Sequence, residues 1–194
     1  MLFRSVRKLD DIKIIDLYWE RSESAIDETS LKYGNYCTKI AINILQNRED
    51  SEECVSDTYL KAWDAIPPQR PAKLSAFLGR ITRNLSFNRF TARNTQKRGG
   101  TNIELLLSEL EECIPSDSSV EADYEAGQTA RIIDAFLASA KPDNRIIFVR
   151  RYWYADSITE IASRFDMSES KVKSILFRTR NKLKDYLEKE GVVL

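Results

Sequence analysis

Apolar residues return every three or four positions through most of this chain, and the strict alternation that marks a half-buried strand is scarce. Tyr33, Tyr36/Cys37, Ile40/Ala41 and Ile44/Leu45 form one such series. A second runs from Asp50 to Ile66 with Val55, Thr58/Tyr59, Ala62 and Ile66 on one side. Pro67, Pro68 and Pro71 then stop that helix and predict a stiff, extended loop. The helical pattern resumes at Leu74, Phe77/Leu78, Ile81 and Leu85 and runs to about Arg93, before Gly99-Gly100 closes the first domain. Between Ile103 and Leu110 lies a short apolar piece that allows one helix, followed by Pro115 and a Ser/Asp cluster. A second compact domain is expected from near Arg131, with Pro142 and Asp143 suited to the first turn of a helix reaching about Trp153. The pattern predicts an all-α chain. Two small helical domains, residues 1–98 and 131–194, are joined by a linker over 99–130.

The last part of the chain reads as a helix-turn-helix. Ser157-Ile158-Thr159-Glu160 has the form of a capping box, which satisfies two free backbone donors at a helix start. Ile158, Ile161, Ala162 and Phe165 give that helix one apolar face. Asp166-Met167-Ser168 makes the break, since Asp tolerates a left-handed backbone better than most residues. Ser168 caps a longer helix expected to run to about Glu190, with Val172, Ile175/Leu176, Thr179, Leu183 and Tyr186/Leu187 on its core side. The opposite side carries Ser170, Ser174, Phe177, Arg178 and Asn181, flanked by Lys171 and Lys173. A short helix, a tight turn and a long basic helix are the geometry that enters a major groove. Arg and Lys there reach guanine edges or phosphates, and Phe177 a thymine methyl. The alternative is an ordinary helical pair with a solvated charged face.

Charge changes the picture more than composition does. The chain has 30 basic and 30 acidic residues, so its net charge is zero. Yet eight basic residues and no acid lie between Asp64 and Glu104: Arg70, Lys73, Arg80, Arg83, Arg89, Arg93, Lys97 and Arg98. From Gly99 to Ala130 the pattern inverts to eight acids and no Lys or Arg. Phosphate backbones respond to local field, not to the chain total. On the third helix Arg80, Arg83, Asn84, Phe87 and Thr91 share one side, opposite Leu74, Leu78, Ile81 and Leu85. Arginines, an amide and an aromatic on one surface suit unpaired bases, which can be stacked and read on their edges. Otherwise Phe87 and Phe90 pack on a neighbouring helix and leave only an Arg-rich solvated face. The preceding helix is acidic, with Glu49, Asp50, Glu52, Glu53, Asp57 and Asp64, which suggests a partner with a basic surface; a merely solvated face is the other reading.

Several function classes are disfavoured. There is no histidine, and Cys37, Cys54 and Cys113 have no paired metal spacing, so neither a zinc site nor a His-based acid/base centre is expected. The cysteines read as reduced thiols of a cytoplasmic protein. No cofactor, metal or small-molecule substrate is expected, and no Gly-rich phosphate loop is present. No apolar run approaches the roughly 20 residues of a membrane span, and no secretory signal is evident at the N-terminus.

The run DSEECVSDTYLKAW (Asp50 to Trp63) followed by FLGRITRNLSFNRF (Phe77 to Phe90) resembles region 2 of the sigma-70 family of RNA polymerase sigma factors. SITEIASRFDMSESKVKSILFRTRNKL (Ser157 to Leu183) resembles their region 4. The two blocks stand in the family's order with a short linker, the layout of the extracytoplasmic-function group. The resemblance implies a promoter-specificity subunit without catalytic activity. Its partners would be core RNA polymerase (the β′ clamp coiled coil and the β flap), promoter DNA and an anti-sigma factor, often membrane-embedded, that could hold it at the inner face of the membrane. It implies that Glu52, Glu53 and Asp57 belong to the polymerase-docking helix. Arg80, Arg83, Asn84, Phe87 and Asn88, with the loop from Ile66 to Leu74, would melt and read the −10 element. Lys171, Lys173, Ser174, Phe177 and Arg178 would read the −35 element. Asp166 departs from the usual turn glycine, and the prolines make the loop stiffer than in many relatives.

Two rivals share the C-terminal motif. A stand-alone repressor leaves the acidic helix without purpose, and a serine recombinase needs an α/β domain that the first 100 residues do not suggest. The acidic linker carries an expectation of its own, that it lies across basic faces of the free protein and suppresses non-specific DNA binding.

Overall fold

The structure is a computed structural model, and it describes residues 9–94, 102–111 and 122–192. Every regular element among these residues is helical, and the chain divides into two compact units, Met1–Arg98 and Gly99–Leu194.

The first unit holds α1 (Asp11–Trp19), α2 (Ser24–Leu45), α3 (Arg48–Ala65) and α4 (Leu74–Asn94). Local chemistry sets the ends. The Asp10 carboxylate accepts from the Asp11 amide at 2.7 Å to start α1, and the Asn47 side chain accepts from the Asp50 amide at 3.0 Å to start α3. Gln46 ends α2 in the left-handed region at φ 51°. Ile14, Ile15 and Tyr18 of α1 meet Cys37 and Ala41 of α2, Cys54, Val55 and Ala62 of α3, and Leu74, Phe77 and Leu78 of α4 in one core. Burying each large apolar side chain contributes roughly 1.5–3 kcal/mol.

Beyond Leu78 the buried side of α4 changes character. Thr82 and Ser86 are fully buried, while Ile81 and Leu85, which the apolar spacing places on the core side, are only partly so. Thr58 donates its hydroxyl to Cys54 O at 2.8 Å and lies 3.1 Å from the Thr82 hydroxyl. Thr82 donates to Leu78 O at 2.9 Å, Ser86 to Thr82 O at 2.7 Å, and the Cys54 thiol lies 3.2 Å from Ser86 Oγ. The Thr58, Thr82 and Ser86 hydroxyls thus each have a partner, which avoids the cost of about 1–3 kcal/mol for an orphaned one. The small side chains let α3 and α4 approach closely.

The second unit holds α5 (Asn102–Glu111), α6 (Ala122–Ser139), α7 (Pro142–Tyr152), α8 (Ile158–Arg164) and α9 (Glu169–Lys189). Pro142 stands in the first turn of α7. Both halves of the capping box at Ser157 and Glu160 are formed, at 3.2 and 2.9 Å. Asp166 takes φ 50° in the turn between α8 and α9, and Ser168 accepts from the Lys171 amide at 3.2 Å. Val172, Leu176, Thr179, Leu183 and Leu187 form the buried side of α9. Phe136 of α6 and Tyr186 of α9 stack with ring centres 5.7 Å apart.

The acid-rich stretch differs from a plain tether. Helix α5 within it buries Ile103 and Leu106 and packs on α7. Helix α6 begins at Ala122, well ahead of Arg131. Lys97, Arg98, Gly99-Gly100, Cys113, Pro115 and the Ser/Asp cluster lie outside the described residues. Among the described residues no helix is long and apolar enough to cross a membrane.

Candidate nucleic-acid and protein interfaces

The residues singled out on α9 come together on one exposed side. Lys171, Lys173, Ser174, Phe177 and Arg178 are all exposed, and Phe177 keeps 55% of its surface in solvent. A ring that open on a charged helix face lies outside the core of its own unit. Arg178 donates Nε to Ser174 O at 3.1 Å, which lays the side chain along the helix. Beside this row, a cleft of about 430 Å³ runs between the end of α6, the start of α7 and α9, and is lined by Lys141, Asn144, Arg178 and Lys182 without a single acid. Its field favours phosphate. Thr159 of α8 donates to Glu169 of α9 at 2.7 Å, which ties the start of the presented helix to its support.

On α4 the expected row is present but not uniform. Arg80, Asn84 and Asn88 are exposed, whereas Arg83, Phe87 and Phe90 are half-buried. The Arg83 guanidinium lies 4.7 Å from the Phe87 ring centre, so it covers one face of the aromatic. Burial pulls its pKa down to about 10, and among the described residues Arg83 Nε is buried without a hydrogen-bond partner. The pair forms one half-buried platform on α4. The preceding loop is held elsewhere: Arg70 forms an ion pair with Asp16 of α1 and lies 5.8 Å from the Trp19 ring centre.

The acids of α3 stand on a surface of mixed charge. Glu52 and Glu53 are exposed and Asp57 is half-buried. Each already has a guanidinium. Arg48 donates Nε to Glu52 at 2.8 Å one turn away, and Arg89 of α4 forks across to Glu53 at 2.8 Å and Asp57 at 2.5 Å. The hydrogen bond from Arg89 holds the Glu53 carboxyl below the usual carboxylate range. Arg93 pairs with Asp50 in the same way. Sequence patterning gave Arg89 to the basic run and missed this pairing; the one signal for it was that Glu53 and Asp57 are four apart on one helix face.

Cys37 and Cys54 are buried free thiols, and burial pushes both pKa values up, away from the reactive thiolate. Among the described residues no group of His, Cys, Asp and Glu could hold a metal ion. In the second unit Arg151, 1% exposed, reaches Glu109 of α5 at 3.4 Å and donates to Asp156 O at 3.2 Å. Tyr152 donates to the same Glu109 oxygen at 2.9 Å, and Arg180 of α9 stands 3.6 Å from it. Among the acids of α5, Glu109 therefore turns to residues behind the exposed row of α9.

Residues 31–96 match the family description Sigma-70 region 2, and residues 130–183 match Sigma-70, region 4; together they span more than half of the chain. The "ECF RNA polymerase sigma factor SigE" of Mycolicibacterium smegmatis is 24% identical over 165 residues, 85% of this chain and 62% of that protein. The "Probable RNA polymerase sigma factor RfaY" of Xanthomonas campestris pv. campestris is 25% identical over 154 residues, 79% of this chain and 38% of that protein. The chain thus spans less than two thirds of the length of these curated relatives. A solved structure, CnrH in complex with the cytosolic domain of CnrY, superposes with a TM-score of 0.43 at 19% identity, over 92% of this chain and 97% of that one.

Proposed function

We propose a function from a fixed premise: this chain belongs to the sigma-70 family of RNA polymerase sigma factors, in its extracytoplasmic-function group. In this reading it binds core RNA polymerase and directs initiation at promoters carrying matching −35 and −10 elements. It is not an enzyme. Polymerase does the chemistry, and this chain supplies placement and strand capture.

The observation that carries the reading is the capped helix-turn-helix with an exposed row of Lys171, Lys173, Ser174, Phe177 and Arg178. Such a row enters the major groove at −35, with Arg178 on a guanine edge and Phe177 against a thymine methyl. The Lys141 and Lys182 side of the adjoining cleft follows the phosphate backbone. On α4, Arg80, Asn84 and Asn88 line the −10 strand while the Arg83–Phe87 platform receives an unstacked base. Stacking worth on the order of 1–3 kcal/mol per base offsets an unstacking cost of a few kcal/mol, so melting needs no nucleotide hydrolysis. Glu52, Glu53 and Asp57 face the basic surface of the polymerase clamp, and the β flap is the partner of the second unit. The protein works in the cytoplasm, where an anti-sigma factor withholds it from polymerase.

The test is run-off transcription from a genomic promoter pool with core polymerase and the full chain. Initiation that depends on the added chain supports the reading. Protection of an operator by the chain alone, with no initiation, would instead indicate a stand-alone repressor.

A further inference from the structure

All three acids proposed to face polymerase are neutralised within the chain itself. Arg48 serves Glu52 from an exposed position one turn away on the same helix, a weak arrangement. Arg89 differs. It comes from the neighbouring helix, its side chain is only 27% exposed, and it uses both terminal nitrogens at once, one on Glu53 and one on Asp57. The two acids remain open to solvent, at 65% and 38%. Glu53 and Asp57 are four residues apart on α3, so one planar fork spans them, a geometry that lysine cannot copy. Arg89 projects from the side of α4 that meets α3. It does not share the surface of Arg80, Asn84 and Asn88, because nine residues of helix from Arg80 turn it about half a revolution away.

We infer that Arg89 is an internal counter-ion for the Glu53/Asp57 pair, which a basic protein partner must displace in order to dock on α3. The inference rests on the proposed role of these acids in polymerase binding. Displacement makes docking selective. A partner offering a single loose lysine gains little over the arginine already present, whereas one presenting several positioned cations replaces it. The cost of releasing Arg89 is that of opening two exposed ion pairs. The site is accordingly held below the affinity its acids could support.

The experiment measures binding of the full chain to immobilised bacterial core RNA polymerase as a function of salt, for wild type, Arg89→Met, Arg89→Lys, and the double variant Glu53→Gln with Asp57→Asn. Arg89→Met keeps the length of the stem and removes the charge. It should bind roughly threefold to tenfold more tightly at low salt, with a steeper fall as salt rises. Arg89→Lys engages one acid at a time and should gain an intermediate amount; this variant also decides the matter if Arg89→Met does not fold. Unchanged or weaker binding by the folded Arg89 variants, with the acid double variant impaired, overturns the counter-ion role and leaves the docking role of the acids standing. Full binding by the acid double variant overturns both.

Discussion

Replacing Glu109 by alanine is the sharpest probe of the second unit, because one carboxylate oxygen there serves three side chains. Arg151 stands 3.4 Å from it, Tyr152 donates to it at 2.9 Å, and Arg180 lies 3.6 Å away. Removing one member of a fully buried ion pair costs about 3–5 kcal/mol, because the other charge is left out of water. Two features reduce that here. Glu109 keeps 25% of its side chain in solvent, and Arg151 retains its bond to Asp156 O. The expected loss is therefore about 2–3 kcal/mol. For a unit of this size, that lowers the melting temperature by roughly 10–15 °C. Scanning calorimetry of the full chain should show the transition of residues 99–194 moving down while that of residues 1–98 stays. Adding Arg151→Met to Glu109→Ala should recover much of the loss, since the most deeply buried charge is then no longer stranded. A shift under about 3 °C for the single variant, or no recovery in the double, would refute the claim that α5 is latched to α7 and α9 through this carboxylate.

Three further outcomes are expected. Ala155, buried and at φ 55°, pays the left-handed penalty that glycine avoids, so Ala155→Gly should raise stability by roughly 0.5–1 kcal/mol in urea unfolding; a lower midpoint would refute this. Arg178→Ala should weaken −35 recognition by roughly 1–3 kcal/mol in competition binding, whereas Asn84→Ala should impair open-complex formation and leave duplex binding nearly intact; equal losses in both assays would count against separate roles. Burial opposes the charge of Asp11, but hydrogen bonds from Lys32 and Tyr33 outweigh it and hold its carboxyl below the ordinary 3.8. A depressed folded value gives stability that is complete above the unfolded pKa and is lost as pH falls through the folded one. The urea midpoint of wild type should therefore exceed that of Asp11→Asn at about pH 6 and converge with it below 3.8, and a gap that stays constant would refute the assignment.

Much of the second unit could be read from the chain because its signals are local. The capping box at Ser157, the break at Asp166 and the cap at Ser168 each involve residues within a few positions of one another, and all three are formed. The apolar stripe of α9 likewise follows from its own spacing. Most of what escaped was tertiary, with one local exception. Helix α1 was not foreseen, although Asp10 as a cap and Ile14, Ile15 and Tyr18 at helical spacing were there to be seen. Thr82 and Ser86 look like surface residues by composition, yet they are fully buried, because α3 offers small and hydroxyl-bearing partners at the matching level. Periodicity alone cannot weigh a neighbour's side chains. The same holds for Arg89, whose partners lie 32 and 36 positions away, and for Glu109, whose partners lie more than 40 away on α7.

The small-residue contact between α3 and α4 has one more consequence. Thr58 opposite Thr82 and Cys54 opposite Ser86 work like teeth on two racks: sliding either helix by a turn would uncouple both pairs at once. The acids lie along one rack and the row of Arg80, Asn84 and Asn88 along the other, so the spacing between them is gauged by the mesh rather than by the loop of prolines that joins them. In the proposed function, that mesh sets the distance from the polymerase-facing edge to the captured strand.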